Sequence, residues 1–215
     1  MSNKTFKIVV LISGNGTNLQ AIIDAVQSGH LKGVEIKAVI SNKETAYGLT
    51  RATNAGIETR VFSLQKYLKE QQQGQEVRDR STYGVELAKI IRSYSPNLVV
   101  CAGWMLILPS SFLESLNQDP VIDIINVHPA LPGQYPGTHA IERAYNDFKQ
   151  GKIQHTGLMI HRVVEEIDAG QVIVTADINI EKDDTLESLE DRFHKQEHKS
   201  MVEALHLLST LYLNK

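Results

Sequence analysis

The chain reads as an α/β protein with a doubly wound, mostly parallel sheet, a C-terminal antiparallel hairpin and a long final helix. Three observations predict it. Runs rich in β-branched residues alternate with runs of helical spacing, the strand-like runs are almost continuously apolar, and after residue 139 the order changes to helix, strand, strand, helix. Alternation is the rhythm of βαβ crossovers, and continuously apolar strands are those covered on both faces.

The elements follow in order. "FKIVVLI" and "EIKAVI" read as strands around the helical "LQAIIDAVQSG", and "ETRVFS" and "NLVVCAGW" as strands separated by "YGVELAKIIRSY", with "AYGLTRATNAG" a helix between the second and third. A fifth strand, "VIDIINV", ends at the stop imposed by Pro129. Beyond it come a helix, "AIERAYNDFKQG", and two strands, "TGLMIHRVV" and "GQVIVTADINI". The short "EEIDAG" between these two favours an antiparallel hairpin over another crossover. A final helix is expected from about Thr185 to Leu213, and the Gln-rich "KEQQQGQEVRD" (69 to 79) reads as a solvated excursion.

A length of 215 residues suits one large α/β domain, expected to span residues 1–215. Charged residues make up 22% and the formal net charge is −3, which lacks the basic pattern of a nucleic-acid binder, so the partner is expected to be small. Cys101 lies inside the apolar "LVVCAG" and reads as core, which excludes an internal disulfide and fits a reducing compartment. No run approaches the ~18 apolar residues of a membrane span, and "IVVLI" is shorter than a signal-peptide core. A cytoplasmic protein without a membrane partner is therefore expected.

Two stretches carry chemistry. "ISGNGTNLQ" (12 to 20) follows the first strand and opens the first helix, so Gly14 and Gly16 allow a tight turn, Thr17 or Asn18 would cap the helix, and backbone N–H groups would face an anion. A structural turn, a single phosphate site and a dinucleotide site all remain open. The dinucleotide fingerprint lacks its third glycine, replaced by Leu19, and its acidic residue at the second strand's end, where the chain has "ISNK".

The second stretch is "INVHP" (125 to 129). Side chains two apart on a strand share a face, so Asn126 and His128 would point together at a carboxyl end, where ligands of open α/β sheets gather. His161 on "LMIHRVV" and Asp168 in "EEIDAG" complete the set, although His161 also reads as a satisfied core histidine and Asp168 as a turn former. Together an amide donor, a ring that titrates near neutrality and a carboxylate suit acid–base chemistry. Neither a nucleophile elbow nor a His-Glu-x-x-His motif accompanies them, though "HKQEH" puts His194 and His198 four apart on a helix, where a zinc pair stays possible. Direct transfer of an activated acyl or formyl group is the reaction class left.

At this point "VVLISGNGTNLQAII", "AVISNK", "INVHPALPGQYPG" and "HTGLMIHRVVEEIDAGQVI" closely resemble the glycinamide ribonucleotide transformylase family over Lys7 to about Ala204. The resemblance implies the formyltransferase fold and transfer of a formyl group from the co-substrate 10-formyltetrahydrofolate to the amine of glycinamide ribonucleotide, without a metal. It implies a catalytic trio of Asn126, His128 and Asp168, supported by His161. It also implies ribonucleotide contacts at Gly16, Thr17, Asn18 and Glu197, and folate contacts at Arg80, Met105, Leu106, Ile107, Leu108, Val164, Glu165, Glu166 and Ile167. Small-molecule partners and a monomer or homodimer are expected. Three departures stand out: "HPALPG" where the family usually has His-Pro-Ser-Leu-Leu-Pro, Leu106 where some relatives carry a basic residue, and His194 where a relative uses lysine near the phosphate. A transformylase of initiator methionyl-tRNA or a formyl-folate hydrolase would share the trio but needs an added domain. A phosphate sensor would have no use for the trio, and a nicotinamide oxidoreductase would need the third glycine.

Overall fold

The computed structural model describes residues 4–70 and 77–214, so the central part of the Gln-rich excursion, residues 71–76, lies outside the described residues. In chain order the elements are β1 (Phe6–Ile12), α1 (Thr17–Gln27), β2 (Val34–Ser41), α2 (Tyr47–Asn54), β3 (Thr59–Val61), α3 (Leu64–Lys69), α4 (Arg80–Ser93) and β4 (Leu98–Cys101), followed by α5 (Ser110–Leu116), β5 (Asp123–His128), α6 (Ala140–Lys149), β6 (His155–Arg162), β7 (Val172–Asn179) and α7 (Leu186–Leu213). Among the described residues the strands form one sheet in the order β3-β2-β1-β4-β5-β6-β7. The pairings from β3 to β5 are parallel, and β5–β6 and β6–β7 are antiparallel.

Strand alternation divides the core. Ile8, Val10 and Ile12 point into a layer with Leu19, Ile22 and Ile23 of α1 and Met201, Ala204 and Leu205 of α7. Val9 and Leu11 point the other way, onto Leu87 and Ile91 of α4 and Phe112 and Leu116 of α5. Each fully buried aliphatic side chain of this size stabilises by ~1.5–3 kcal/mol relative to exposure, so both faces of β1 must be apolar. A third cluster joins Leu158, Ile178, Leu189 and Phe193 beneath α6.

Two short helices, α3 and α5, are additions to the pattern expected from the sequence. Ser63 caps α3, its Oγ accepting the N–H of Lys66 at 3.4 Å, and α5 is held through Phe112 and Leu116 in the core. The β6–β7 connection is also longer than the short turn expected: residues 163–171 intervene. The Val163 N–H donates to Ile124 O at 2.8 Å, continuing the β5 ladder, and the Arg162 N–H donates to Gln171 O at 2.8 Å, closing a loop that carries Asp168.

Candidate active site

The carboxyl ends of β1, β4 and β5 lie side by side, so the loops that follow them meet. The Ser13 N–H donates to Gly103 O at 3.0 Å, and Ser13 Oγ accepts the N–H of Met105 at 2.8 Å. In the β5–β6 ladder Asn126 pairs with His161 and His128 with Met159. Paired residues project to the same face, so Asn126, His128 and His161 share one.

His128 is buried, and both ring nitrogens meet acceptors. Nδ1 lies 3.2 Å from Asp168 Oδ2 and Nε2 lies 3.2 Å from the Gln134 carbonyl oxygen. A ring flanked by two acceptors is best satisfied when both nitrogens carry protons. Asp168 also accepts the Gly137 N–H at 2.9 Å, and its other oxygen is 3.5 Å from His161 Nε2, an ion-pair distance without a formed hydrogen bond. His161 Nδ1 lies 2.9 Å from the carbonyl oxygen of Arg162, which can only accept, so Nδ1 carries a hydrogen. The contact of Nε2 with a carboxylate is then attractive in the imidazolium form.

His161 is buried and faces the carboxylate, and Asp168 forms the turn, with φ 55°, while facing both rings. Burial by itself raises the Asp168 carboxyl. Contact with His161, the N–H of Gly137 and the charge of His128 outweigh burial and hold the carboxyl below its ordinary range.

The glycine loop is built differently from the sequence expectation. Neither Thr17 nor Asn18 caps α1; the cap position is Gly16, with φ 74° and no side-chain cap bond. Only glycine takes that conformation freely. Asn18 lies two residues past the cap position, and its amide is committed elsewhere: Nδ2 donates to Glu197 Oε2 of α7 at 3.0 Å, with both residues buried. Asn18 Oδ1 has no hydrogen-bond partner. Thr17 is half-buried beside it, and His194 is exposed one turn before Glu197.

The expected folate segments are brought together only in part. Arg80 Nη2 donates to Ile107 O at 2.9 Å, so the start of α4 holds the loop after β4. Met105 and Ile107 are largely exposed, whereas Leu106 and Leu108 pack on the core. Val164 and Ile167 are half-exposed, and Glu165 and Glu166 are exposed. A cavity of about 370 Å³ opens between α5 and the β5–β6 ladder; Leu113, Ile122 and Ile124 line it together with the charged Glu114, Asp123 and Arg162, and none of the trio does. Of the expected folate residues only Val164 and Glu165 line it. Leu113, Ile122 and Ile124 carry no chemical signature in sequence, so only packing reveals them. Ile124 lies two residues before Asn126 on β5, about 7 Å along the strand.

A cavity of about 420 Å³ on α7, lined by His30, His198, Val202 and His206, contains none of the trio. His198 therefore belongs with a surface groove, and among the described residues no group of three or more His, Cys, Asp and Glu side chains is arranged to hold a metal. Burial pushes the Cys101 thiol up to about 12, consistent with core packing. No helix among the described residues is long and apolar enough to cross a membrane.

A model of the formyl transferase family matches residues 6–205. The chain belongs to the formyl transferase family. Within it, the chain is 68% identical to the phosphoribosylglycinamide formyltransferase of Dictyostelium discoideum, covering 96% of this chain and 99% of that protein. It is 38% identical to the Escherichia coli protein of that name, covering 89% and 81% of the two chains. The crystal structure of glycinamide ribonucleotide transformylase 1 from Symbiobacterium toebii superposes with a TM-score of 0.83 at 30% identity, covering 98% of this chain and 90% of that one. The mixed sheet and long final helix are those of the family.

Proposed function

We propose that the protein transfers a formyl group from 10-formyltetrahydrofolate to the primary amine of glycinamide ribonucleotide, in purine biosynthesis. The observation that carries this reading is the contact of His128 Nδ1 with Asp168 Oδ2 at 3.2 Å, on the face shared by Asn126. High identity over nearly the full length of proteins named phosphoribosylglycinamide formyltransferase supports the choice of substrates.

In this reading Asn126 and His128 donate to the formyl oxygen as it gains negative charge under attack by the amine. Preorganised donors of this kind are typically worth ~3 kcal/mol each. His128 Nε2 exchanges the Gln134 carbonyl for that oxygen, while Nδ1 stays on Asp168. Asp168 orients the ring through Nδ1 and helps move the proton lost by the amine towards the folate nitrogen that leaves, an acid–base contribution of roughly 10²- to 10⁴-fold. The folate is placed along Arg80, Met105–Leu108 and Val164–Ile167, where the exposed Met105, Ile107, Val164 and Ile167 offer apolar surface to its flat part. Gly16, Thr17 and Asn18 receive the ribonucleotide phosphate at the N-terminus of α1, where N–H groups and the helix dipole favour an anion. Glu197 offers a carboxylate acceptor to the hydroxyl and amine groups of the same substrate.

The deciding experiment is a spectrophotometric assay of purified protein with formyl-folate and glycinamide ribonucleotide, omitting each in turn. Folate product is expected only when both are present. Turnover with formyl-folate alone would indicate a hydrolase and overturn the proposal.

A further inference from the structure

The glycine loop is braced by a neighbouring element. Its three residues are gripped from outside by α2, an element that the site described above does not use. Gly48 N–H donates to Gly14 O at 3.1 Å. Arg51 Nε donates to Asn15 O at 2.9 Å, its Nη2 to Asn15 Oδ1 at 3.0 Å and its Nη1 to Gln20 Oε1 at 3.2 Å, while the guanidinium lies 5.0 Å over the Tyr47 ring. The two backbones also touch. A Cβ on Gly16 would come within 2.7 Å of Gly48 Cα, and one on Gly48 within 2.6 Å of Ile12 Cδ1 and 3.2 Å of Gly16 Cα.

We infer that Arg51, seated by the Gly16–Gly48 approach, is a positioning residue for the phosphate loop and sets affinity for the ribonucleotide. This rests on the proposed placing of the phosphate at that loop. Backbone N–H groups grip an anion only when several converge, and a loop with glycines at 14 and 16 has more freedom to lose than most. Three hydrogen bonds from one rigid planar fork, bridging the loop to the first turn of α1, remove that freedom before the substrate arrives. Lysine cannot reproduce the fork, because its single nitrogen reaches one acceptor direction well and lacks the planar spread.

The role separates cleanly from a simple charge contact. If Arg51 served only as a cation near the phosphate, Arg51→Lys would keep most of the affinity. If it positions the loop, Arg51→Lys and Arg51→Gln fail alike.

The test is steady-state kinetics on the full chain for Arg51→Lys, Arg51→Gln and Asn18→Ala, with both substrates varied and the thermal midpoint of each variant recorded. Both Arg51 variants are expected to raise the KM for glycinamide ribonucleotide about tenfold, with the folate KM unchanged and kcat falling far less than KM rises. A wild-type ribonucleotide KM in Arg51→Lys, or parallel changes in both KM values, would overturn the inference. Should Asn18→Ala raise the ribonucleotide KM while neither Arg51 variant does, the brace falls and the phosphate loop stands. Should none of the three change it, the placing of the phosphate falls as well.

Discussion

Asn18 and Glu197 stand 179 residues apart, yet the amide of one donates to the carboxylate of the other at 3.0 Å and both are buried. The bond ties the first turn of α1 to the middle of α7, so the last helix is fastened at the mouth of the first βα loop. A carboxylate near a helix N-terminus is favoured by the dipole, which helps this one tolerate burial. Glu197→Leu would leave both polar ends of Asn18 unpaired and is expected to destabilise by about 1–3 kcal/mol in denaturant unfolding. Glu197→Gln can turn its oxygen to Asn18 and keep the fold, so its effect should fall on the ribonucleotide KM. Equal stability of the Leu variant and wild type would show that the buried bond contributes nothing.

His128 and Asp168 allow the chemistry to be probed without dismantling the fold. Asp168 has φ 55°, a conformation that asparagine also tolerates, so Asp168→Asn keeps the turn while removing the charge. Turnover in Asp168→Asn and in His128→Ala is expected to fall by roughly 10²- to 10⁴-fold with circular dichroism unchanged. A near-normal rate in either variant removes that residue from the mechanism.

How much of this was legible in the sequence depends on the distance over which each feature is specified. The strands β1 and β4 announce themselves because burial on both faces demands near-continuous apolar runs, β2 and β5 through their β-branched content, and α7 because its pattern spans 28 residues. The helices α3 and α5, of 6 and 7 residues, are too short for a hydrophobic repeat and exist because Ser63 caps one and the core takes Phe112 from the other. Asn126 and His128 are visible as neighbours from strand alternation alone. Their meeting with Asp168 is not, since it depends on the antiparallel β5–β6 register and on a loop whose neck is closed by backbone bonds. Arg51 left no signal, because an arginine on an exposed helix reads as solvation until the loop it grips is seen.

Asp184 anchors the start of α7. Arg192 spans both its oxygens at 2.7 and 2.8 Å, Ser188 Oγ donates at 2.7 Å and the Glu181 N–H at 2.8 Å. The bonds from Arg192, outweighing burial and aided by Glu181 and Ser188, hold its carboxyl far below the ordinary range. A depressed folded value means that this stabilisation is complete above the unfolded value of about 3.9 and is lost as pH falls through the folded one. Asp184→Asn is expected to lose about 1–3 kcal/mol near neutral pH. The gap from wild type should stay constant down to about pH 5 and narrow below about pH 4 in unfolding titrations. A gap that widens on acidification would contradict the assignment.

The neck of the Asp168 loop can be tested at one atom. A Cβ on Gly170 would sit 1.8 Å from the Arg162 carbonyl oxygen, and backbone cannot withdraw from it as a flexible side chain could. That oxygen also accepts from His161 Nδ1 at 2.9 Å, and the Arg162 N–H closes the neck on Gln171 O at 2.8 Å. A methyl group there must therefore open the neck, tilt His161 and carry Asp168 away from His128 together. Gly170→Ala is expected to destabilise by about 1–3 kcal/mol through overpacking and to cut kcat by at least about tenfold. The exposed neighbour, as Ala169→Ser, should stay near wild type on both counts. If Gly170→Ala unfolds earlier but turns over normally, the neck supports the fold alone, and the position of Asp168 must be set from its other side, through the N–H of Gly137.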